Sequence, residues 1–134
     1  MQPQPTTTRL ENSMRHLLHS PWLWRCVFYP LLGFILFLAT TPKAYPLPSS
    51  ANDKINHFIA FVVLSVLLRL AHRHLALQWT LAFLATFGFL IEGVQYLLPY
   101  RDFSWMDWLT DLAGIAAGVL LIEGLFRLSA NRAN

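Results

Sequence analysis

The sequence is poor in charge and nearly free of cysteine, and each shortage removes a class of protein. Acidic and basic residues make up 13% of its 134 residues, where a water-soluble domain carries about a quarter. An ordinary solvated surface is therefore excluded. Cys26 is the single cysteine, so no intrachain disulfide can form. A lone cysteine inside an apolar run reads as a small buried apolar group. No glycine-rich nucleotide-binding loop and no internal repeat occur, and no serine or cysteine nucleophile stands beside a convincing base. The chain is instead 55% hydrophobic, with a mean hydropathy of +0.44, and its apolar residues come in long blocks. The formal charge of +3 is carried by basic residues scattered singly among those blocks. That pattern reads as membrane topology, not as a nucleic-acid surface.

Four apolar segments follow a polar stretch. Residues 1–21 predict a cytoplasmic tail, with a short amphipathic stretch from Ser13 to His19. The segments predict helices over about 22–41, 55–71, 75–98 and 105–125, each close to the 17–25 residues that cross a bilayer. The expected architecture is all-α: an integral membrane four-helix bundle over 22–126, closed by a short tail over 127–134. The first segment is too long for the apolar core of a cleaved signal and lacks a small-x-small site, so it predicts a retained helix. The turn from Ala71 to Leu75 is short enough to make the second and third helices an antiparallel hairpin.

Basic residues set the expected orientation. Arg9, Arg15, Arg25, Arg69, Arg73, Arg127 and Arg132 fall on one side, against Lys43, Lys54 and Arg101 on the other. Positive residues favour the cytoplasm, which predicts both termini inside. Arg25 lies near enough to the inner end of its segment to snorkel, and His72 and His74 read as polar turn residues.

The acidic residues are unevenly placed. Asp53, Glu92, Asp102, Asp107 and Asp111 map to the outer half, whereas only Glu11 and Glu123 map inside. Glu92 lies about 10 Å below Pro99 at the helical rise, and Asp111 about 9 Å below Trp105. Ionisable groups at that depth cost several kcal/mol unless they face the bundle interior and find partners. Spacing lets them converge: Asp53 and His57 are four apart, Glu92 and Gln95 three apart, and Asp107, Asp111, Gly114 and Gly118 line one stripe. Gly114 to Gly118 is a GxxxG sequence that admits a close helix neighbour. Interhelical hydrogen bonding alone accounts for any one of these polar residues; the case for a site rests on the group.

These residues carry a resemblance. Asp53-Lys54-Ile-Asn-His57-Phe-Ile-Ala-Phe61 resembles the DKxxHxxxY/F signature of VanZ-like membrane proteins. The run Glu92-Gly-Val-Gln95, then Pro99-Tyr-Arg101-Asp-Phe-Ser104-Trp-Met-Asp107, then Gly114 and Gly118, resembles that family's later motifs. The likeness covers about residues 50–122. Asp111 departs from it, since the family usually has asparagine there. The resemblance implies a small polytopic protein of the bacterial cytoplasmic membrane. The founding member is associated with resistance to teicoplanin, while envelope housekeeping is the expected role of most relatives.

Two classes of function fit. In the first, an outward-facing polar cluster binds lipid headgroups or wall-active amphiphiles and affects glycopeptide or lipoglycopeptide susceptibility. Lys54 and Arg101 hold an anionic group, with Asp53, Gln95, Ser104 and Asp111 completing the candidate ligand-binding set. In the second, a membrane enzyme modifies lipid-linked envelope material. His57 acts there as acid or base, oriented by Asp53 or Glu92, with Asp107 as a second acid. A histidine, a glutamate and an aspartate also have the donor chemistry for a divalent cation, but three residues read from one sequence are thin grounds. No metal ligand set and no cofactor is assigned. A dimeric small transporter is a third reading. The expected partners are membrane lipids, a lipid-linked wall precursor or a glycopeptide, and a second copy through the Gly114/Gly118 face, with no nucleic acid.

Overall fold

The computed structural model describes residues 20–42 and 50–131. It contains four helices and, among the described residues, no strand. They are α1 (Pro21–Thr40), α2 (Ser50–Ala71), α3 (Leu77–Tyr96) and α4 (Trp105–Asn131). Each contains a stretch long and apolar enough to cross a membrane. The proposed amphipathic stretch from Ser13 to His19, and Lys43, lie outside the described residues.

The boundaries differ from the apolar segments where helix and apolarity part company. α2 begins at Ser50 rather than 55, because its first turn is polar and carries Asp53, a carboxylate suited to the positive end of the helix dipole. α4 runs to Asn131 rather than 125, so most of the proposed C-terminal tail continues the helix. Backbone hydrogen bonding proceeds through polar residues that a hydropathy reading treats as the end.

Cross-helix contacts fix the directions. Arg25, near the start of α1, donates to the carbonyl of Ala71 at the end of α2 (3.1 Å). At the opposite end, Gln95 of α3 donates to Ala39 O of α1 at 3.1 Å. α1 and α3 are thus parallel to each other and antiparallel to α2. α4 runs parallel to α2, since Lys54 meets Asp107 at one end and Arg69 meets Glu123 at the other. The first and last described residues therefore lie at the same end of the bundle.

α2 is the hub, and its tightest neighbour is α4. Gly114 and Gly118 make that possible: a Cβ on Gly114 would stand 2.6 Å from Phe58 O, and one on Gly118 2.5 Å from Val62 O. This is the close approach that GxxxG spacing permits, made within one chain. The face that the sequence offers to a second copy is taken up here by α2. The α2–α3 hairpin forms as its short turn requires, but those two helices touch less than α2 and α4 do.

The core is a narrow column of Phe28, Phe61, Leu64, Leu68, Leu84, Ile91, Ile115 and Val119. α1 contributes only Phe28 to the buried set. Cys26 is exposed, so it faces outward instead of filling the core. Around the column, Trp22, Phe37, Leu38, Ile59, Leu90, Leu120 and Leu121 are all exposed. Water does not tolerate an apolar exterior on this scale, whereas acyl chains do. The outward apolar surface and the inward polar side chains describe a bundle solvated by lipid.

Candidate functional site

The polar layer sits where α2, α3 and α4 meet, in the first two turns of α2 and α4 and the last two of α3. On α2, Lys54 and His57 are three apart and share a face. On α4, Asp107 and Asp111 are four apart and face them. Lys54 Nζ donates to Asp107 Oδ1 at 2.8 Å, and His57 Nδ1 donates to Asp111 Oδ1 at 2.9 Å. The lysine is at the rim, with 38% of its side chain exposed, while Asp111 is fully enclosed. A small residue makes room for that carboxylate: a Cβ on Gly88 of α3 would come within 2.7 Å of Asp111 Oδ2.

Glu92 enters from α3 and is fully buried. Its Oε2 accepts the backbone N–H of Ser104 at 2.9 Å. Ser104 caps α4, its hydroxyl accepting the N–H of Asp107 at 3.2 Å. In an ordinary capping box the acid three residues on would bond back to the cap N–H. Here Glu92 takes that N–H, and Asp107 is left to Lys54. The second oxygen of Glu92, Oε1, and Asp111 Oδ2 have no hydrogen-bond partner. His57, Glu92 and Asp107 each present a ligand atom, all within 4.8 Å of one another.

The three proposed catalytic residues are therefore neighbours, and so are Lys54, Ser104 and Asp111 from the proposed ligand-binding set. The pairing differs from the expectation on one point. The carboxylate hydrogen-bonded to His57 is Asp111 of α4, not Asp53 or Glu92. Asp53 is four residues from His57 along α2, but the imidazole turns across the helix interface, where its cost of burial is offset. Gln95 is engaged elsewhere, on the Ala39 carbonyl, and Tyr100 O–H donates to the Thr40 carbonyl at 2.8 Å. Both satisfy carbonyls that the end of α1 leaves open. Arg101 has a buried Nε without a hydrogen-bond partner. Trp108 Nε1 donates to Ala85 O at 3.1 Å, joining α4 to α3, and Phe89, Phe103, Trp105 and Trp108 form an edge-to-face aromatic group alongside.

A second polar group at the other end escaped the sequence reading. Arg69 Nε donates to Glu123 Oε1 at 2.7 Å, and its Nη1 to Leu75 O. Tyr29 Oη and His72 Nε2 share a hydrogen bond at 3.1 Å, and Arg73 stacks over Phe126. Burial and the neighbouring Arg25 charge lower the His72 pKa from its ordinary 6.5. Single basic residues at a helix end look like topology signals. The missed cap had a visible signal, Ser104 three residues before Asp107.

A four-span membrane protein whose histidine and carboxylates are enclosed at one end of the bundle is the class that fold and site define. The chain belongs to the VanZ/LLP1 family, whose family model matches residues 3–127. It is also similar to a Schizosaccharomyces pombe protein described as uncharacterized, with 34% identity over 99 residues. That match covers 71% of this chain and 59% of the yeast protein, so the chain spans less than two thirds of that relative's length. No solved structure matches the chain significantly.

Proposed function

We propose that this VanZ/LLP1 protein binds the headgroup of a membrane amphiphile at the Lys54 end of the bundle. The observation that carries this reading is the Lys54–Asp107 pair: a cation at the rim, 38% exposed, standing on a carboxylate that is 14% exposed. Lys54 is reachable from the bilayer interface, and the Asp107 contact orients its ammonium. The Arg101 guanidinium is a second cation with unused donor capacity, of the type that forks onto phosphate or carboxylate. A relative in a yeast, an organism without peptidoglycan, favours a membrane lipid over a bacterial wall precursor as the amphiphile. Altered susceptibility to lipoglycopeptides follows as a secondary effect of a changed membrane surface. The setting proposed is a bacterial cytoplasmic membrane with both termini inside, testable by labelling single cysteines placed at each loop.

The test is lipid binding by purified protein in detergent, read by native mass spectrometry with phosphatidylglycerol and phosphatidylcholine. Selective retention of the anionic lipid, lost in Lys54→Ala and Arg101→Ala, is the expected result. Equal retention by wild type and both variants ends the reading.

One observation favours an enzyme as the second reading. His57 bonded through Nδ1 to a buried aspartate has the arrangement of an oriented acid–base residue, with Asp107 as a second acid. Comparing envelope lipids in a deletion strain complemented with wild type or His57→Ala separates the two. A lipid species that depends on His57 indicates catalysis; an unchanged lipid composition removes it. Phe61, Leu64, Leu84 and Ile115 are buried inside the single bundle, so the dimeric transporter reading would need its path between two copies.

A further inference from the structure

We infer that His57, Glu92 and Asp107 form a binding site for a divalent transition-metal ion. Three observations converge on it. The donor atoms come from three different helices, yet lie within 4.8 Å of one another. About a tetrahedral ion with bonds near 2.1 Å, ligand atoms stand roughly 3.4 Å apart. Closure from the widest such spacing thus needs about 1.4 Å of side-chain movement, the scale of a small rotation of the half-buried His57 and Asp107.

The second observation is independent of the clustering. Glu92 is fully enclosed, and its Oε1 has no hydrogen-bond partner. A buried carboxylate oxygen left without a partner costs several kcal/mol. The fold holds it there all the same, since Oε2 is anchored on Ser104 N–H. An ion is a partner that satisfies Oε1 without disturbing the α4 cap.

The third is the state of the histidine. His57 Nδ1 is held 2.9 Å from Asp111 Oδ1; in the neutral tautomer that donates from Nδ1, Nε2 has the lone pair that a metal needs. A histidine whose far nitrogen is held by a carboxylate is the usual outer-shell arrangement of metal sites. Asp111 is thereby a positioning residue and His57, Glu92 and Asp107 the ligands. Lys54 occupies Oδ1 of Asp107, leaving Oδ2 for the ion.

Charge agrees with a dication. By formal charge the carboxyls of Glu92, Asp107 and Asp111 outnumber the one lysine and one histidine they face. One nitrogen and two oxygen donors suit Zn2+ or Mn2+ better than the all-oxygen preferences of Mg2+ and Ca2+. Three protein ligands leave an open position. Occupation of that position by a headgroup phosphate rests on the function proposed above; ion binding itself does not.

The experiment uses the full chain in detergent, purified without a polyhistidine tag and stripped with EDTA. Zn2+ and Mn2+ are titrated calorimetrically, and bound metal is counted by elemental mass spectrometry. On the order of one ion per chain is expected, with affinity falling at least about tenfold in Glu92→Gln, His57→Gln and Asp107→Asn. Glu92→Gln retains an oxygen for Ser104 N–H and Asp107→Asn lies nearer the surface, so these two keep a folded comparison. Asp111→Asn is expected to weaken binding less than loss of a ligand does. Substoichiometric metal on wild type, or equal affinity across the ligand variants, overturns the site. Lipid retention repeated with and without metal keeps the two proposals apart. Metal binding that survives Lys54→Ala while lipid retention is lost supports both, and lipid retention without any metal binding overturns only the ion.

Discussion

His57 meets Asp111 at 2.9 Å, and twelve residues further along both helices Arg69 meets Glu123 at 2.6 Å. The separation in sequence is 54 residues in each pair. α2 and α4 therefore keep one parallel register over about 18 Å. Polar pairs close the interface at its two ends, and glycines close it between them.

The glycine contacts predict a sharp contrast among alanine substitutions. Gly114→Ala and Gly118→Ala push a methyl into backbone carbonyls of α2. Each is expected to cost about 1–3 kcal/mol, the usual price of overpacking. Gly33→Ala and Gly124→Ala meet nothing within 4 Å and are expected to be neutral or slightly stabilising, since alanine is the better helix former. Thermal unfolding in detergent checks both sets; equal midpoints would show that the α2–α4 approach is not close.

Ser104 is expected to matter through Asp107. Ser104→Ala removes the acceptor for the Asp107 N–H, at about 1 kcal/mol for a lost helix cap. It also loosens the carboxylate that holds Lys54. Ser104→Thr keeps the acceptor and is expected to retain both stability and lipid binding. A Ser104→Ala protein with wild-type unfolding would remove the cap from the account.

At the other end, Arg69→Ala leaves Glu123 without its cation and the Leu75 carbonyl without a donor. Glu123 is 28% exposed, so partial hydration offsets part of the loss, and about 1–3 kcal/mol is expected. Arg69→Ala combined with Glu123→Leu is expected to recover part of that. An additive double variant would mean that the two residues act separately.

His72 carries a pH dependence with a definite sign. Its folded pKa lies below the ordinary 6.5, from burial and the nearby Arg25. Below pH 6.5 the unfolded chain takes up this proton more readily than the folded one, so stability rises with pH across that window and is lost on acidification. Unfolding midpoints measured between pH 7.5 and about pH 5 are expected to fall less steeply in His72→Gln than in wild type. Identical slopes would show that His72 titrates alike in both states.

The membrane class was legible in composition, because lipid solvation demands long apolar segments whatever their arrangement. The ionisable residues placed at depth were legible too, since such groups stand out against an apolar background. Their pairing was not. Helical spacing offers Asp53 as a partner for His57 and depth offers Glu92, whereas the register of α2 against α4, with Gly114 and Gly118 at the contact, brings Asp111 to it. Gln95 shares a stripe with Glu92, yet one faces the end of α1 and the other the cap of α4, a difference of a few ångströms that no spacing rule resolves. Arg69 and Glu123 are 54 residues apart and looked like separate surface charges. The sequence by itself thus determined that these polar groups must be enclosed. The tertiary structure alone decided which would meet, because pairing depends on helix register, and register is settled by packing across the whole interface.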